Sequence, residues 1–193
     1  MRILISEEQS ELIVNKSKFI GYSVIANSRE GFLDKVREIK INNPSASHAV
    51  YGLRIKKNTI EPHFSDDGEP SGTGGRSLIS ILESKKIING GLVVVRYYGG
   101  INLGMGGLAR AYSQAGSKAI LASRLDNFIE LHDYILIIKY SSLDFISKVI
   151  LDNKGVILDR NFDQNITLKI SVSASTKELI EKKFPTAKIQ SLA

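Results

Sequence analysis

The chain has 193 residues, a formal net charge of +6 and no cysteine, with 42% apolar and 24% charged residues. That balance excludes a mainly disordered chain, and the lack of cysteine excludes disulfides, thiolate metal sites and cysteine nucleophiles. No apolar run approaches the roughly 18 residues of a membrane-spanning helix. Met1–Ile5 leads straight into Ser6, Glu7 and Glu8 with no signal-peptide core, so a cytoplasmic protein with no membrane partner is expected.

Charge and glycine divide the chain in the same place. Residues 1–125 hold 17 Lys/Arg against 11 Asp/Glu, whereas residues 126–193 hold 9 of each. Twelve of the 16 glycines fall between Gly68 and Gly116. Two domains are expected, 1–125 and 126–193, in an α+β protein. The positive excess of the first points to an anionic partner, or serves solubility alone.

In chain order, strands are predicted at Glu11–Asn15 and Lys18–Ala26, rich in β-branched and aromatic residues. Ser28 caps a helix to about Ile41, stopped by Asn42, Asn43 and Pro44. His48–Ile55 reads as a strand, and Ile60–Phe64 as another that Pro62 confines to an edge. A loop over Ser65–Gly75 precedes a short helix through Leu78, Ile81 and Leu82. Gly91–Tyr98 is a buried strand, Gly99–Gly107 a loop, and Leu108–Ser123 a helix of small residues. In the last third, a strand at Asp133–Lys139 precedes a helix capped by Ser141 or Ser142 and closed by Gly155. Strands at Val156–Phe162 and Ile166–Val172 turn at Asp163-Gln164. A capping box at Ser175–Glu178 starts a helix that ends before Pro185, and Ala187–Ser191 is a final strand. The order is β-α-β-β-α-β, the ferredoxin-like order.

Two stretches carry candidate chemistry. The second, Arg96 to Arg110, is a strand end, a glycine segment (Gly99, Gly100, Gly104, Gly106, Gly107) and a helix start. Free N–H groups at a helix start favour an anion, and Arg96 and Arg110 flank the segment, so phosphate is the natural ligand. Glycines serving tight turns alone are the alternative. Strand alternation lets only one of Tyr97 and Tyr98 face outward, where it could stack on a base. No G-x-x-x-x-G-K-[ST] is present. Gly104–Ala109 matches G-x-G-x-x-A, but five residues separate it from the strand and no acid ends the next strand, so a Rossmann site is not supported.

The first stretch, Ser65 to Arg76, gathers Asp66, Asp67 and Glu69. Their oxygens could hold Mg²⁺, or pair with Arg76, Arg96 or Arg110 and tie the two stretches together. His48 or His63 could act as a base near these acids, or be structural. Ser71 and Thr73 offer hydroxyls, but no G-x-S-x-G elbow accompanies them.

These stretches, S-D-D-G-E-P-S-G-T-G-G-R and V-V-V-R-Y-Y-G-G-I-N-L-G-M-G-G-L-A-R-A-Y, resemble the signature of the IMPACT/YigZ family. The resemblance runs from about Lys18 to Ala122 and includes, loosely, Ala46, His48 and Arg54. Gly74, Ser77 and Tyr98 stand where the family pattern has alanine, proline and phenylalanine. The resemblance implies a first domain like the second domain of the uS5-type ribosomal protein, a fold shared with GHMP kinases. It implies a second domain like the ferredoxin-like domains of elongation factor G. Eukaryotic relatives regulate translation initiation under amino-acid stress by competing for a kinase activator; this chain has the bacterial two-domain layout.

The expectation is therefore a non-enzymatic translation regulator that binds RNA or the ribosome. Arg76, Arg96 and Arg110 contact phosphates beside the glycine segment, and Tyr97 or Tyr98 stacks. A nucleotide or phosphorylated small-molecule binder, with Mg²⁺ on the acidic loop and His48 as base, and a protein-binding regulator are the alternatives.

Overall fold

Five segments of the first two thirds have the alternating or continuous apolar pattern of strands, and they assemble into one sheet. The computed structural model describes residues 1–192, and the chain divides into two units after Phe128. The first unit contains β1 (Arg2–Leu4), β2 (Gln9–Val14), β3 (Ser17–Ile25), α1 (Arg29–Asn42), β4 (His48–Lys56) and β5 (Ile60–Ser65). It continues with α2 (Gly75–Ser84), β6 (Gly90–Tyr97), α3 (Gly104–Ala122) and β7 (Leu125–Asn127).

The sheet order is β2-β3-β6-β4-β5, antiparallel throughout. β6 lies at its centre and is buried from Gly90 to Arg96 because both faces are covered. Leu92 and Val94 join the core with α2 and α3, while Val93 packs with Phe32 and Val36 of α1. β5 takes the edge, where Pro62 forfeits no ladder bond between central strands. Ser28 caps α1 by accepting from Gly31 N–H at 3.1 Å. The small residues of α3 let it lie directly on the sheet: a Cβ on Gly21 of β3 would stand 2.6 Å from the Ala115 carbonyl oxygen.

Two features depart from the sequence expectation. α3 begins at Gly104 rather than Leu108, so Gly104, Gly106 and Gly107 form its first turn instead of a loop. β1 and β7 pair with each other, Leu4 opposite Leu125, which holds residues 125–128 in the first unit.

The second unit contains β8 (His132–Ile138), a 3₁₀ turn (Tyr140–Ser142), α4 (Leu143–Asp152), β9 (Val156–Phe162), β10 (Ile166–Val172), α5 (Ala174–Lys183) and β11 (Lys188–Ser191). Its antiparallel sheet has the order β11-β8-β10-β9, and its core gathers Tyr134, Leu136 and Ile138 with Ile146, Ile150, Leu168 and Ile180. The caps differ from expectation. Ser142 makes no side-chain cap, because the 3₁₀ turn leads directly into α4. Ser173, not Ser175, caps α5, accepting from Thr176 N–H at 3.2 Å while Thr176 itself is buried. Lys154, not Gly155, takes the left-handed backbone after α4, at φ +59°. Gly155 is needed for space instead, since its Cβ would lie 2.7 Å from Val172 Cγ1. No helix among the described residues is long and apolar enough to cross a membrane.

Candidate functional site

Between β5 and α2 the chain folds around its own carboxylates. Asp66 accepts from Gly72, Gly74 and Gly75 N–H at 2.8, 2.9 and 2.8 Å. It thus supplies the acceptor that Gly74, the N-cap of α2, lacks. Burial pushes the Asp66 carboxyl up, but the three N–H donors and Arg76 outweigh it and hold the group below its ordinary value. Asp67 accepts from Lys40 Nζ at 2.6 Å and from Ala49 N–H at 2.7 Å. His48 Nδ1 meets the Asp67 carbonyl oxygen at 2.8 Å, which assigns the ring proton to Nδ1 in the neutral form.

Glu69 turns inward. Its side chain is 3% exposed and accepts from Arg96 Nη1 and Tyr112 Oη, each at 2.7 Å, with His48 Nε2 3.9 Å away. Burial first, then the hydrogen bond and charge of Glu69, push the Tyr112 phenol well above its ordinary range. The Arg96 guanidinium also lies over Phe19 and Tyr98, 5.6 and 5.2 Å from their ring centres, and Nη2 reaches Ser17 Oγ at 3.5 Å. Its Nε is buried without a partner. Each motif thus supplies part of one buried brace: Glu69 from the first, Arg96 and Tyr112 from the second.

This corrects the expectation for Arg96. Alternation along β6 turns Leu92, Val94 and Arg96 to the face covered by α2 and α3, so Arg96 is 5% exposed and committed to Glu69. Tyr97 points to the other face, where its hydroxyl donates to Asn43 Oδ1 at 2.7 Å and Lys18 Nζ stands 5.0 Å over its ring. Tyr98 is the exposed member of the pair.

The glycines divide by role. Gly99 is required by close approach: a Cβ there would lie 2.1 Å from the Lys16 carbonyl carbon. Gly107 faces Leu103 Cβ at 3.1 Å. Gly100 and Gly104 have φ of +80° and +66° and open space around them, and Gly106 has only Arg110 Nη1, at 3.6 Å. No side chain caps the start of α3. Tyr98, Ile101 and Met105 are exposed beside this segment, and the exposed Arg110 has no ion-pair or hydrogen-bond partner among the described residues.

The remaining candidates are apart from that face or engaged elsewhere. Arg76 is exposed and lies 5.5 Å over the Phe64 ring. Ser71 is exposed, and Thr73 is buried with its hydroxyl donating to the Pro70 carbonyl at 2.7 Å. His63 sits on β5 with its Nε2 3.7 Å from Glu61. His48 lines a cleft of about 240 Å³ with Lys40, Asn43, Ser47 and Asp67. Among the described residues no three His, Cys, Asp or Glu side chains converge as a metal site requires. The sequence reading missed Tyr112, Ser17 and Lys40 as partners. Tyr112 carried a signal, as the one aromatic residue in a helix of small ones.

Residues 15–120 match the Impact N-terminal domain. The chain belongs to the IMPACT family. An IMPACT family member of Haemophilus influenzae is 33% identical over 186 residues, covering 93% of this chain and 90% of that protein. The Escherichia coli IMPACT family member YigZ is 29% identical over 84% of this chain and 80% of its own length. A crystal structure of a hypothetical protein aligns with all of this chain and 97% of its own, with a TM-score of 0.71 and 25% identity. Family membership therefore extends across both units, and the brace uses residues of both signature stretches.

Proposed function

We propose that this IMPACT-family chain is a translation regulator that binds structured RNA or the ribosome through the exposed face of its first unit. The face consists of Tyr98, the Ile101–Gly106 segment and Arg110. One observation carries the reading: the motif residues that remain exposed over the brace are an aromatic ring, unencumbered glycine backbone, uncapped helix N–H groups and an unpaired arginine. Those are the groups that stack on a base, admit a close backbone and hold a phosphate. Arg96 acts beneath the face by fixing the end of β6, whereas Arg76, over Phe64, stands apart from it. The family resemblance supports the link to translation. The likeness to ribosomal protein and elongation factor domains belongs to this same proposal.

A second reading rests on Ile101 and Met105, exposed at 41% and 62%. Such side chains also suit a protein partner. Co-sedimentation of the purified chain with ribosomes over a salt series separates the two. The RNA reading expects saturable binding that weakens steeply with salt and falls at least tenfold in Arg110→Ala. Binding insensitive to both salt and Arg110 would replace it with the protein-partner reading.

A further inference from the structure

The largest group of unpaired cations in the first unit lies at the far end of α2 and α3 from the face just described. Both helices start near the acidic and glycine stretches. The 19-residue α3 carries the chain about 28 Å away from them. There Arg2 of β1, Lys85 and Lys86 after α2, Lys118 of α3 and Arg124 after α3 are all exposed. None of their side chains has an ion-pair or hydrogen-bond partner among the described residues. The elements are held together by Arg2 N–H donating to the Lys86 carbonyl at 2.9 Å and Ile5 N–H to the Arg124 carbonyl at 3.0 Å. Arg2 and Lys85 line one recess of about 210 Å³ whose other walls are Ile120, Leu121, Ser123 and Leu125.

Helix polarity accounts for only part of this. Lys85, Lys86 and Arg124 follow helix C-termini, where a cation is favoured. Lys118 lies before the last turn of α3, and Arg2 is on a strand. Lys86 also keeps a left-handed backbone, φ +56°, which glycine or asparagine would occupy with less strain. Elsewhere in the unit, Lys35, Arg37, Lys40, Lys57 and Arg96 have acidic partners. Glu83 neighbours the cluster in sequence and pairs with none of it. Five like charges left together repel one another, and a polyanion would relieve that repulsion.

We infer that this basic end is a second nucleic-acid surface, which takes the sugar-phosphate backbone of a duplex RNA without reading its bases. The inference rests on the RNA reading above but concerns a different surface. Arg2 and Lys85 wall the recess, and backbone hydrogen bonds hold Lys86 to β1 and Arg124 to Ile5 just after it, so a convex phosphate ridge fits these cations better than a flat bilayer. Side chains cannot read bases in the deep, narrow major groove of an A-form duplex, so these lysines and arginines meet its backbone and not its sequence.

The test is binding of a short RNA duplex to the full chain over a salt series, with two variants. Lys85→Gln/Lys118→Gln/Arg124→Gln removes three cations and leaves Lys86 and its backbone intact. Each phosphate contact contributes about 0.7–0.9 to the salt slope, so the triple variant should flatten it by about 2–3 and weaken binding at low salt at least tenfold. Its circular dichroism and Tm should match or exceed those of the parent. Unchanged affinity and slope in the triple variant, with loss in Arg110→Ala, would overturn the second surface and leave the first standing. Loss in the triple variant with Arg110→Ala unaffected would support the second surface and remove the first. Tighter binding to phosphatidylglycerol vesicles than to the duplex, abolished in the triple variant, would overturn the inference in favour of a membrane.

Discussion

Glu69→Gln should unfold the first unit far more readily than any surface change. The substitution keeps the volume of the side chain and an oxygen that can still accept from Tyr112, so its cost reports the missing charge. Arg96 is left charged, with its side chain 6% exposed and its carboxylate partner, formerly 2.7 Å away, gone. Breaking one side of a buried ion pair costs about 3–5 kcal/mol, because the remaining charge stays desolvated. For a unit of this size that corresponds to a fall in Tm of roughly 10–20 °C. Urea unfolding read by hydrogen exchange of β6 and α3 peptides reports this unit separately from the second. The triple variant Glu69→Leu/Arg96→Met/Tyr112→Phe should cost less than Glu69→Gln alone, since it leaves neither an orphan charge nor an unpaired buried hydroxyl. A loss below about 1 kcal/mol in Glu69→Gln would show that Arg96 recovers its solvation elsewhere and that no buried brace holds it.

Tyr112→Phe should cost about 1.5–3 kcal/mol, the loss of one buried hydrogen bond to a charged acceptor, measured by the same unfolding assay; no loss would mean that Glu69 is satisfied by Arg96 alone. The folded-state pKa of Asp66 lies below its ordinary 3.8, so its stabilisation is complete above that value and is lost as the pH falls through the lower folded value. Acid unfolding of Asp66→Asn should therefore be shallower below about pH 4 than that of the parent, and equal slopes would contradict the assignment. Gly99→Ala should destabilise severely, because its Cβ meets the Lys16 backbone at 2.1 Å. Gly106→Ala meets only a flexible arginine tip, so helix propensity should raise stability by about 0.5–1 kcal/mol in a thermal melt while ribosome binding falls. Stability gained with binding unchanged would remove Gly106 from the contact face.

How far the sequence foretold this structure varies with the range of the interaction. The apolar run Leu92–Val95 and the Ser28 cap are local signals, and both lead to the elements found. The pairing of Arg2–Leu4 with Leu125–Asn127 was invisible, since three residues hold no periodicity and the partner lies over a hundred residues away. The brace was half legible. Pairing of the acids with Arg96 was among the expectations, but the motif's arginine and glycines also suggested a surface site. What decides it is the parity of β6, which puts Arg96 on the same side as Leu92 and Val94 and under α3. Residue type alone could not separate Gly99, kept for close approach, from Gly100, kept for φ, or from Gly106, which has neither need. The box expected at Ser175–Glu178 is displaced two residues, with Ser173 as the cap and Thr176 buried, contacts that local spacing does not carry.

The central claim is that the exposed face of the motifs, and not their buried residues, meets the partner. Hydrogen exchange of the full chain with and without ribosomes tests it most directly. New protection is expected at amides from Tyr98 to Arg110, concentrated in the first turn of α3, with β6 already protected in both states. Ribosome binding that leaves those amides unchanged, or no ribosome binding at low salt, would contradict it.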